Sequence, residues 1–445
     1  MKKYRALVPI VLVVLMVVSW YMMINKTAQT SNTYTTYLTE ARKWASDGIA
    51  KYAIENYNAA LKIKDTPEVY VEVSDFYKSV NKPKENLSWC EAFFEKYPTD
   101  SRAYDCLLEA YVQEKDFESC YDVLTTAEKR SVNSEYMNEI ANQIKYEFKI
   151  DFSSYTDVGV YSNNFCSVKN KDLWGFVDRY GNNRIAGNYI QVGEYTQSGF
   201  APVVNKNGSA YFIDKTGAKV ISLKEEYESF GLLVDSIIPA KDAEGNYVYL
   251  VENKDNNDSG MYVVGSEKYE FASTFNNGIA VVKTDGKWKI INERFELIGD
   301  DYQDIKLDEK DIAYRNDRLF VSKDGKQYIM IDKDGNQISE LTFEDARVFT
   351  GENATAVSID GKWSFIDKDG KFLSDKKYDD ARPITNGLAA VNINGKWGFV
   401  DNAEQIVIEP QFFDSKDFNE KGSCFVKTGD KWQLLKLYRL NREEK

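Results

Sequence analysis

The sequence predicts a multidomain chain that combines α-helical and all-β regions. Three observations support this fold class. An uncharged apolar run near the N-terminus is long enough to cross a bilayer. From residue 33 to 148, apolar side chains recur at helical spacing in units of 33 or 34 residues. From residue 149 to 445, an aromatic hairpin motif recurs about eight times. We therefore expect a single N-terminal transmembrane helix, a helical repeat domain and a larger β-repeat domain.

The N-terminal segment has the composition of a signal anchor. Residues 1–5 (MKKYR) carry three basic side chains, whereas the nineteen residues 6–24 carry no charge. At ~1.5 Å rise per residue, such a helix spans roughly 28 Å, close to the thickness of a bilayer core. The run ends in Trp20 and Tyr21, which suit a membrane interface, whereas a cleaved signal peptide, the alternative, ends in small residues. The basic flank predicts that residues 1–5 are cytoplasmic and that the bulk of the chain is extracytoplasmic, in a cell membrane protein with a single pass. Residues 25–32 are polar and are expected to form a linker.

Residues 33–148 repeat a helical pattern at a fixed period. Ala53, Asn86 and Cys120 superpose at offsets of 33 and 34 residues, and a small–large–small spacing follows in each copy. This period and spacing resemble the tetratricopeptide repeat (TPR). The resemblance implies stacked helix pairs that form an α-solenoid with a concave groove for a protein or peptide. An ordinary helical bundle is the alternative.

Residues 149–445 contain about eight copies of a β-hairpin motif. In the best copy an alternating strand at residues 387–393 meets Asn394-Gly395, which supplies the positive φ of a type I′ turn, and KWGFVD then begins the returning strand. A second turn, Asp-x-x-Gly, follows, and its Asp carboxylate can accept backbone N–H bonds. We interpret the aromatic after the first turn as a packing residue. Its copies are Trp174, Tyr211, Trp288, Tyr328, Trp363, Trp397 and Trp432, with a degenerate copy near Val248.

This motif resembles the WG repeat (KWG repeat) of bacterial proteins. GKWGFVD from Gly395 and LWGFVD from Leu173 carry the resemblance most clearly, whereas Lys289, Ser364 and Gln433 replace the glycine in other copies. The resemblance implies a binding or scaffolding module and no particular activity. Because one β-meander cannot bury both of its faces, the copies must pack on one another.

The two ends of the array indicate how it closes. Residues 148–155 look like the last strand of a repeat that has no earlier part, and the eighth copy has no room for that strand. An N-terminal strand that completes the C-terminal repeat would form a propeller-like ring without exposed sheet edges. The sequence favours this ring over an open β-solenoid, the alternative.

The ring would bring two cysteines into neighbouring repeats. Cys166 and Cys424 each lie eight residues before the repeat tryptophan, in the first and the last copy. An extracytoplasmic location permits a disulfide between them. We favour two unrelated buried thiols over this disulfide, since equivalent positions in adjacent repeats are often too far apart for a disulfide.

The composition excludes several kinds of function. A net charge of −13 argues against a nucleic-acid partner, and the absence of histidine removes His-dependent nucleophiles and His-ligated zinc. Asp332 begins a stretch like a calcium loop, yet Gln337 and Phe343 occupy the positions that require Gly and Glu. We predict no metal site, no cofactor and no catalytic residue.

The expected function is that of a non-enzymatic, membrane-anchored, extracytoplasmic binding or scaffold protein. It would contact the membrane through residues 6–24 and a protein or peptide through both repeat regions, with a cell-envelope glycan as a second class of partner. One alternative is an envelope hydrolase, because two carboxylates can cleave a glycoside without histidine. A purely structural spacer is the other. Acids clustered in a deep pocket would favour the hydrolase.

Overall fold

A computed structural model gives the structure of the chain and describes residues 7–222, 227–252, 262–264 and 267–438. The described residues divide into two compact units, the first ending at Lys145 and the second beginning at Tyr146. The first unit is helical and the second consists of antiparallel sheets.

The first unit contains seven helices in its described part. They are α1 Leu7–Ser46, α2 Ala50–Ile63, α3 Pro67–Ser79, α4 Pro83–Lys96, α5 Ser101–Glu114, α6 Phe117–Lys129 and α7 Glu135–Gln143. The positions aligned by the 33–34-residue period all lie in its core. These buried residues are Ala53, Tyr57 and Ala60 of α2, Asn86, Cys90 and Phe93 of α4, and Cys120, Leu124 and Ala127 of α6. The period therefore marks the packing face of every second helix.

The first helix is longer than the sequence predicted. α1 continues without a break through residues 25–32, where we expected a linker. Threonine hydroxyls in this stretch donate to the carbonyl four residues earlier, from Thr27 to Met23 O at 2.7 Å and from Thr30 to Lys26 O at 2.8 Å. Such back-bonding satisfies polar side chains inside a helix, so a polar composition did not end it here. Within the described residues, no helix has both the length and the apolar character that a membrane crossing requires.

The second unit consists of short antiparallel strands. In chain order they are β1 Phe148–Tyr155, β2 Asp157–Val158, β3 Phe165–Asn170, β4 Leu173–Asp178, β5 Asn183–Val192, β6 Ala201–Asn205, β7 Ala210–Ile213, β8 Lys219–Ser222, β9 Tyr227–Phe230, β10 Ile237–Asp242, β11 Tyr247–Glu252, β12 Tyr262–Val264, β13 Phe271–Ala272, β14 Ile279–Thr284 and β15 Lys287–Asn292. They continue with β16 Leu297–Tyr302, β17 Asp304–Ile305, β18 Leu319–Ser322, β19 Ile329–Ile331, β20 Asp345–Ala346, β21 Ala354–Ile359, β22 Lys362–Asp367, β23 Asp380–Ala381, β24 Leu388–Ile393, β25 Lys396–Asp401, β26 Ile406–Phe412, β27 Asp414–Ser415, β28 Ser423–Lys427 and β29 Trp432–Leu437.

These strands form eight repeats in the described part of the unit. Each has a short inner strand, a second strand, a third strand that begins near the repeat aromatic, and an outer segment. The repeats are β2–β5, the end of β5 with β6–β8, β9–β12, β13–β16, β17–β19, β20–β22, β23–β26, and β27–β29 with β1. Strand β5 is shared, since it pairs with β4 in repeat 1 and with β6 in repeat 2.

The first strand of the unit completes the last repeat. β1 pairs antiparallel with β29, from Phe148 opposite Leu437 to Tyr155 opposite Trp432. The resulting sheet has the order β1-β29-β28-β27. The prediction that residues 148–155 supply the missing strand of the eighth copy is confirmed.

The apolar cores of the second unit lie between successive repeats. Among the described residues, eight clusters each join two consecutive repeats. One of them joins the last repeat to the first, where Phe425 and Trp432 pack with Cys166 and Val177. The interfaces therefore form a closed cycle, and every repeat is covered on both faces.

The second turn of the repeat has the chemistry that the sequence predicted. Asp332 Oδ1 accepts hydrogen bonds from the backbone N–H groups of Asp334 and Asn336, both at 2.9 Å. Gly335 closes this turn at φ +86°. The same pattern recurs at Asp178, Asp214 and Asp367. Because these oxygens already accept backbone hydrogen bonds, turn formation explains the resemblance to a calcium loop.

Candidate functional site: a charged cavity at the inner strands

The repeat aromatics pack against aromatics of the outer segment. The opposed pairs are Trp174–Tyr189, Trp288–Tyr302, Tyr328–Phe343, Trp363–Tyr378, Trp397–Phe412 and Trp432–Tyr155. Trp363, Trp397 and Trp432 are buried, and Trp174 and Trp288 are partly buried against the same kind of core. Six of the seven predicted repeat residues therefore occupy equivalent packing positions.

Tyr211 is the exception, and its assignment is corrected. It pairs with Val203 and packs toward repeat 1, whereas Trp397 packs toward the following repeat. Side chains alternate between the two faces of a strand, so a shift of one residue reverses the direction. The tryptophan position of repeat 2 is Ala210. In repeat 3 it is Tyr247, which is bridged to Tyr269, and not Val248.

The glycine of the WG dipeptide is required by a close backbone approach. A Cβ atom at Gly398 would lie 2.5 Å from Ile408 O and 2.7 Å from Pro410 N. These are backbone atoms of the outer strand and cannot rotate away. The dipeptide therefore pairs a packing residue with a position where the outer strand passes too close for a side chain.

The structure agrees with two unrelated buried thiols and not with a Cys166–Cys424 disulfide, because the two cysteines do not face each other. Both are free and buried. Cys166 of repeat 1 packs toward repeat 8, whereas Cys424 of repeat 8 packs toward repeat 7. Side chains at equivalent positions of adjacent repeats both point toward the preceding repeat. The sheet of repeat 8 therefore lies between the two thiols. The close pair is Cys90 and Cys106 in the helical unit, with Sγ atoms 3.0 Å apart.

Each repeat contributes one equivalent residue directly after its inner strand, which we call the inner position. In all eight described repeats its backbone N–H donates to a carbonyl of the second strand at 2.8–2.9 Å, for example from Arg382 to Ala390. In chain order the inner positions are Gly159, Gly193, Gly231, Ser273, Lys306, Arg347, Arg382 and Lys416. The first four are small and the last four are basic.

Packing accounts for three of the four small inner positions. A Cβ atom at Gly159 would clash with the carboxylate of Glu194, and one at Gly193 would lie 2.6 Å from Pro202 Cγ. At Gly231 it would lie 2.5 Å from Pro239 Cγ. Side chains from neighbouring strands thus fill the space that an inner side chain would need in repeats 1–3.

The basic half forms a row of ion pairs between repeats. Three members pair with an acid of the following repeat: Lys306 with Asp345 at 2.8 Å, Arg347 with Asp380 at 3.0 Å, and Arg382 with Asp417 at 2.6 Å. We call Lys306, Arg347, Arg382 and Lys416 the basic row. Lys306 and Arg347 also lie over the repeat aromatics, 4.2 Å from the ring of Tyr328 and 4.5 Å from that of Trp363. Such cation–π contacts hold the cations in place.

Repeat 5 carries an insertion next to this row. Leu319 lies thirteen positions after Lys306, whereas the equivalent Ala389 lies seven positions after Arg382. Asp308 shapes the inserted segment, because its Oδ1 accepts from the backbone of Lys310 at 2.8 Å and of Ile312 at 2.9 Å. Its Oδ2 accepts from Arg315 Nε at 2.8 Å. We call residues 307–312 the insertion loop.

The insertion loop reaches four other repeats. Lys310 Nζ donates to Tyr161 O in repeat 1 at 3.1 Å. The carbonyl of Asp311 accepts from Thr274 N in repeat 4 at 2.9 Å. Glu309 Oε1 accepts from Arg382 of repeat 7 and from Lys416 of repeat 8, both at 3.0 Å. The loop therefore lies where inner positions from different repeats converge.

A cavity of about 260 Å³ lies beside the loop and is lined by repeats 1, 5, 6, 7 and 8. Its charged residues are Asp308, Glu309, Lys310, Arg315, Arg347, Arg382, Asp417 and Glu420. The four acids match the four bases in number. A site of this kind can hold a polar or charged group of a ligand by direct hydrogen bonds.

The environment shifts the pKa values of several groups in and beside the cavity, of which Glu194, Glu309 and Lys310 bear on its chemistry. Burial raises the pKa of Glu194 to about 7, and its Oε2 has no hydrogen-bond partner within the described residues. Burial also opposes ionisation of Glu309, yet the charges of Arg382 and Lys416 outweigh it and hold its pKa below the ordinary value. Burial lowers the pKa of Lys310, with a further contribution from the charge of Arg315.

Sequence reasoning missed the basic row, although a signal for it exists. Four consecutive copies read YQDIK, FEDAR, YDDAR and FFDSK, with a basic residue two positions after an aspartate. The insertion loop has no such signal, because its contacts join residues far apart in the chain. In the part of the chain that the structure describes, no three or more Asp, Glu or Cys side chains are grouped as metal ligands.

Known proteins resemble this chain in two ways, although no curated protein matches it. The solved structure of BamB from Moraxella catarrhalis is 13% identical, with a TM-score of 0.41 over 65% of this chain and 99% of that one. Hsv2 of Kluyveromyces lactis is 10% identical, with a TM-score of 0.37 over 57% and 96%. Sqt1 of Chaetomium thermophilum, solved bound to the N-terminus of ribosomal protein L10, is 9% identical, with a TM-score of 0.38 over 63% and 97%. At the level of sequence, residues 257–288, 330–363, 363–397 and 397–432 match the family model for the WG containing repeat.

Proposed function

We propose that this chain is a non-enzymatic scaffold, anchored in a membrane by residues 6–24, whose bulk is extracytoplasmic. Its second unit acts as a propeller-like ring of WG-type repeats. The ring binds a protein or peptide partner at the cavity beside the insertion loop. The observation that carries the proposal is the convergence of five repeats and the insertion loop on one open cavity lined by charged groups.

The state of the acids in the cavity supports binding over hydrolysis. A glycosidase needs one carboxyl group kept protonated as the general acid. In the cavity, Asp308 pairs with Arg315 and Asp417 pairs with Arg382. The pKa of Glu309 is lowered, and Glu420 lies 3.8 Å from Arg179. Ion-paired carboxylates of this kind fix cations for recognition. The two acids in or near the loop whose pKa is raised, Glu194 and Asp311, are not among the cavity-lining residues.

The helical unit offers a second concave surface, which we propose to act as a TPR-like groove for a peptide. A cavity of about 490 Å³ lies among α4, α5 and α6. Glu91, Glu95 and Asp122 line it together with Phe94 and Tyr111. Aromatic side chains beside acids are suited to a peptide with apolar and basic residues.

The membrane anchor is supported by exposed apolar side chains on α1. Trp20, Tyr21, Met22 and Met23 are each 64–70% exposed, an unusual run for a surface in water. A carbonate wash of membranes from cells that make the full chain tests the anchor. Retention of the chain in the membrane pellet is expected, and recovery in the supernatant would contradict the anchor.

A peptide library displayed on phage and selected on the full chain tests the binding site. Glu420 lines the cavity with a 52% exposed side chain, so Glu420→Trp should obstruct the mouth. Glu409→Trp, on an exposed outer-strand position, is the matched control. Selected peptides should bind the wild type and Glu409→Trp equally and bind Glu420→Trp at least tenfold more weakly. Equal binding to all three proteins would place the partner elsewhere.

A further inference from the structure

We propose that the cavity recognises a peptide carboxylate, an aspartate or glutamate side chain of the partner, which takes the place of Glu309 between Arg382 and Lys416. In the free protein the insertion loop acts as an internal occupant of this site. The proposal rests on the proposed function and names the chemical class of its ligand.

The geometry at Glu309 is that of a bound carboxylate. Its Oε1 accepts from Arg382 and from Lys416, and its Oε2 also accepts from Lys416, all at 3.0 Å. The three groups come from repeats 5, 7 and 8, so two repeats hold an acid that belongs to a third. A partner's carboxylate could make the same three hydrogen bonds.

Lys416 differs from the rest of the basic row in its ion-pair partner. Lys306, Arg347 and Arg382 each pair with an acid of the next repeat. Within the described residues, Glu309 is the one acid at salt-bridge distance from Lys416. When Glu309 withdraws, Lys416 becomes an unpaired cation with a 20% exposed side chain.

The charge balance selects a single carboxylate. Without Glu309 the site contains Arg382 and Lys416 (+2) and Asp417 (−1), which leaves one positive charge. Asp417 already holds two guanidinium nitrogens of Arg382, at 2.6 and 3.2 Å. A monoanion neutralises this site, whereas a phosphate dianion would add repulsion from Asp417.

Glu309 can leave without disrupting its loop. Its side chain is 39% exposed, and neighbouring residues fix the loop through Asp308, Lys310 and Asp311. Partly exposed ion pairs are weak, so a partner that brings additional contacts can displace this one. Because a ligand must displace the Glu309 carboxylate, weakly binding or uncharged ligands would not occupy the site.

The test uses the full chain and two labelled peptides. One is KLDEKDIA, which copies residues 306–313, and the other has glutamine in place of its glutamate. The protein variants are Glu309→Gln, which removes the internal charge, and Glu309→Ala, which empties the site. Lys323→Gln, which removes an exposed lysine paired with Asp300, is the control. Binding is measured by fluorescence anisotropy at low salt, where exposed charges are least screened.

The glutamate peptide should bind Glu309→Gln and Glu309→Ala at least tenfold more tightly than wild type or Lys323→Gln. It should also bind them at least tenfold more tightly than the glutamine peptide does, and adding Lys416→Gln should remove this preference. Equal binding of the two peptides to Glu309→Ala would overturn the proposal. The proposal would also be overturned if inorganic phosphate displaced the labelled glutamate peptide at a lower concentration than acetate does. If library peptides respond to Glu420→Trp while the two labelled peptides bind alike, the proposed function stands and the carboxylate assignment is wrong.

Discussion

The buried carboxyl of Glu194 predicts a stability that falls as the pH rises. Its side chain lies beside Gly159, one of the small inner positions. Oε1 accepts from Ser167 Oγ at 2.8 Å and from Val160 N at 3.2 Å, and Oε2 has no partner within the described residues. The charge of Lys310 partly opposes the effect of burial on the pKa of this carboxyl. Glu194→Gln is the perturbation, because it keeps the shape and removes the charge.

The magnitude follows from the two pKa values. Burial raises the pKa of Glu194 from an ordinary 4.5 to about 7. Below pH 4.5 the carboxyl is protonated in both states and folding carries no penalty. Above pH 7 it is ionised in both states, and the folded state bears the cost of a buried charge. The difference corresponds to about 3 kcal/mol, an upper bound that is lost progressively between pH 4.5 and 7.

Urea denaturation of the full chain from pH 4.5 to 8, followed by tryptophan fluorescence, measures this effect. The free energy of unfolding of Glu194→Gln minus that of wild type should rise by about 2–3 kcal/mol across the range. The constant offset from an unpaired amide does not change this slope. Glu409→Gln, at an exposed position, should show no such trend. A difference between Glu194→Gln and wild type that stays flat with pH would refute the reasoning.

Three further predictions concern packing, thiols and closure. Gly398→Ala should lower the free energy of unfolding by about 3 kcal/mol, because its Cβ would lie 2.5 Å from a backbone oxygen. Ser364→Ala, at the same repeat position, should lower it by less than about 1 kcal/mol. Equal losses for the two variants in urea titrations would contradict this. Mild oxidation followed by peptide mapping should yield a Cys90–Cys106 disulfide, because the Sγ atoms are 3.0 Å apart, and a map without it would count against this pairing. Ile150→Pro should increase amide hydrogen exchange in β29, since residue 150 pairs with that strand; unchanged protection would show that β1 does not close the last sheet.

Local chemistry made much of the second unit predictable from sequence. Asp-x-x-Gly turns, the Asn394-Gly395 turn and the phase of Trp397 depend on residues within one repeat, and the structure places them as expected. The missing strand at residues 148–155 was found because a repeat defines its own complete length. Helical positions such as Ala53 were found for the same reason, since a periodic core repeats its small residues.

The predictions failed where the structure depends on the face to which a side chain points or on contacts between residues far apart in the chain. Tyr211 was assigned by residue type, although its one-residue offset turns it to the opposite face. Cys166 and Cys424 were placed together by phase, yet equal phase sets them one repeat apart. The Glu309 site joins residues more than 70 positions apart, and no local pattern contains that information.

The pairing of β1 with β29 also determines when the second unit can finish folding. Phe148 and Leu437 are 289 positions apart and lie opposite each other in one sheet. During synthesis the first strand must therefore wait, unpaired, until the last repeat has been made. Pairing across so long a separation is slow, and an unpaired strand edge can recruit other chains. A chain cut short within its final repeat would keep that edge permanently. We therefore expect such truncated chains to aggregate even though seven repeats are intact.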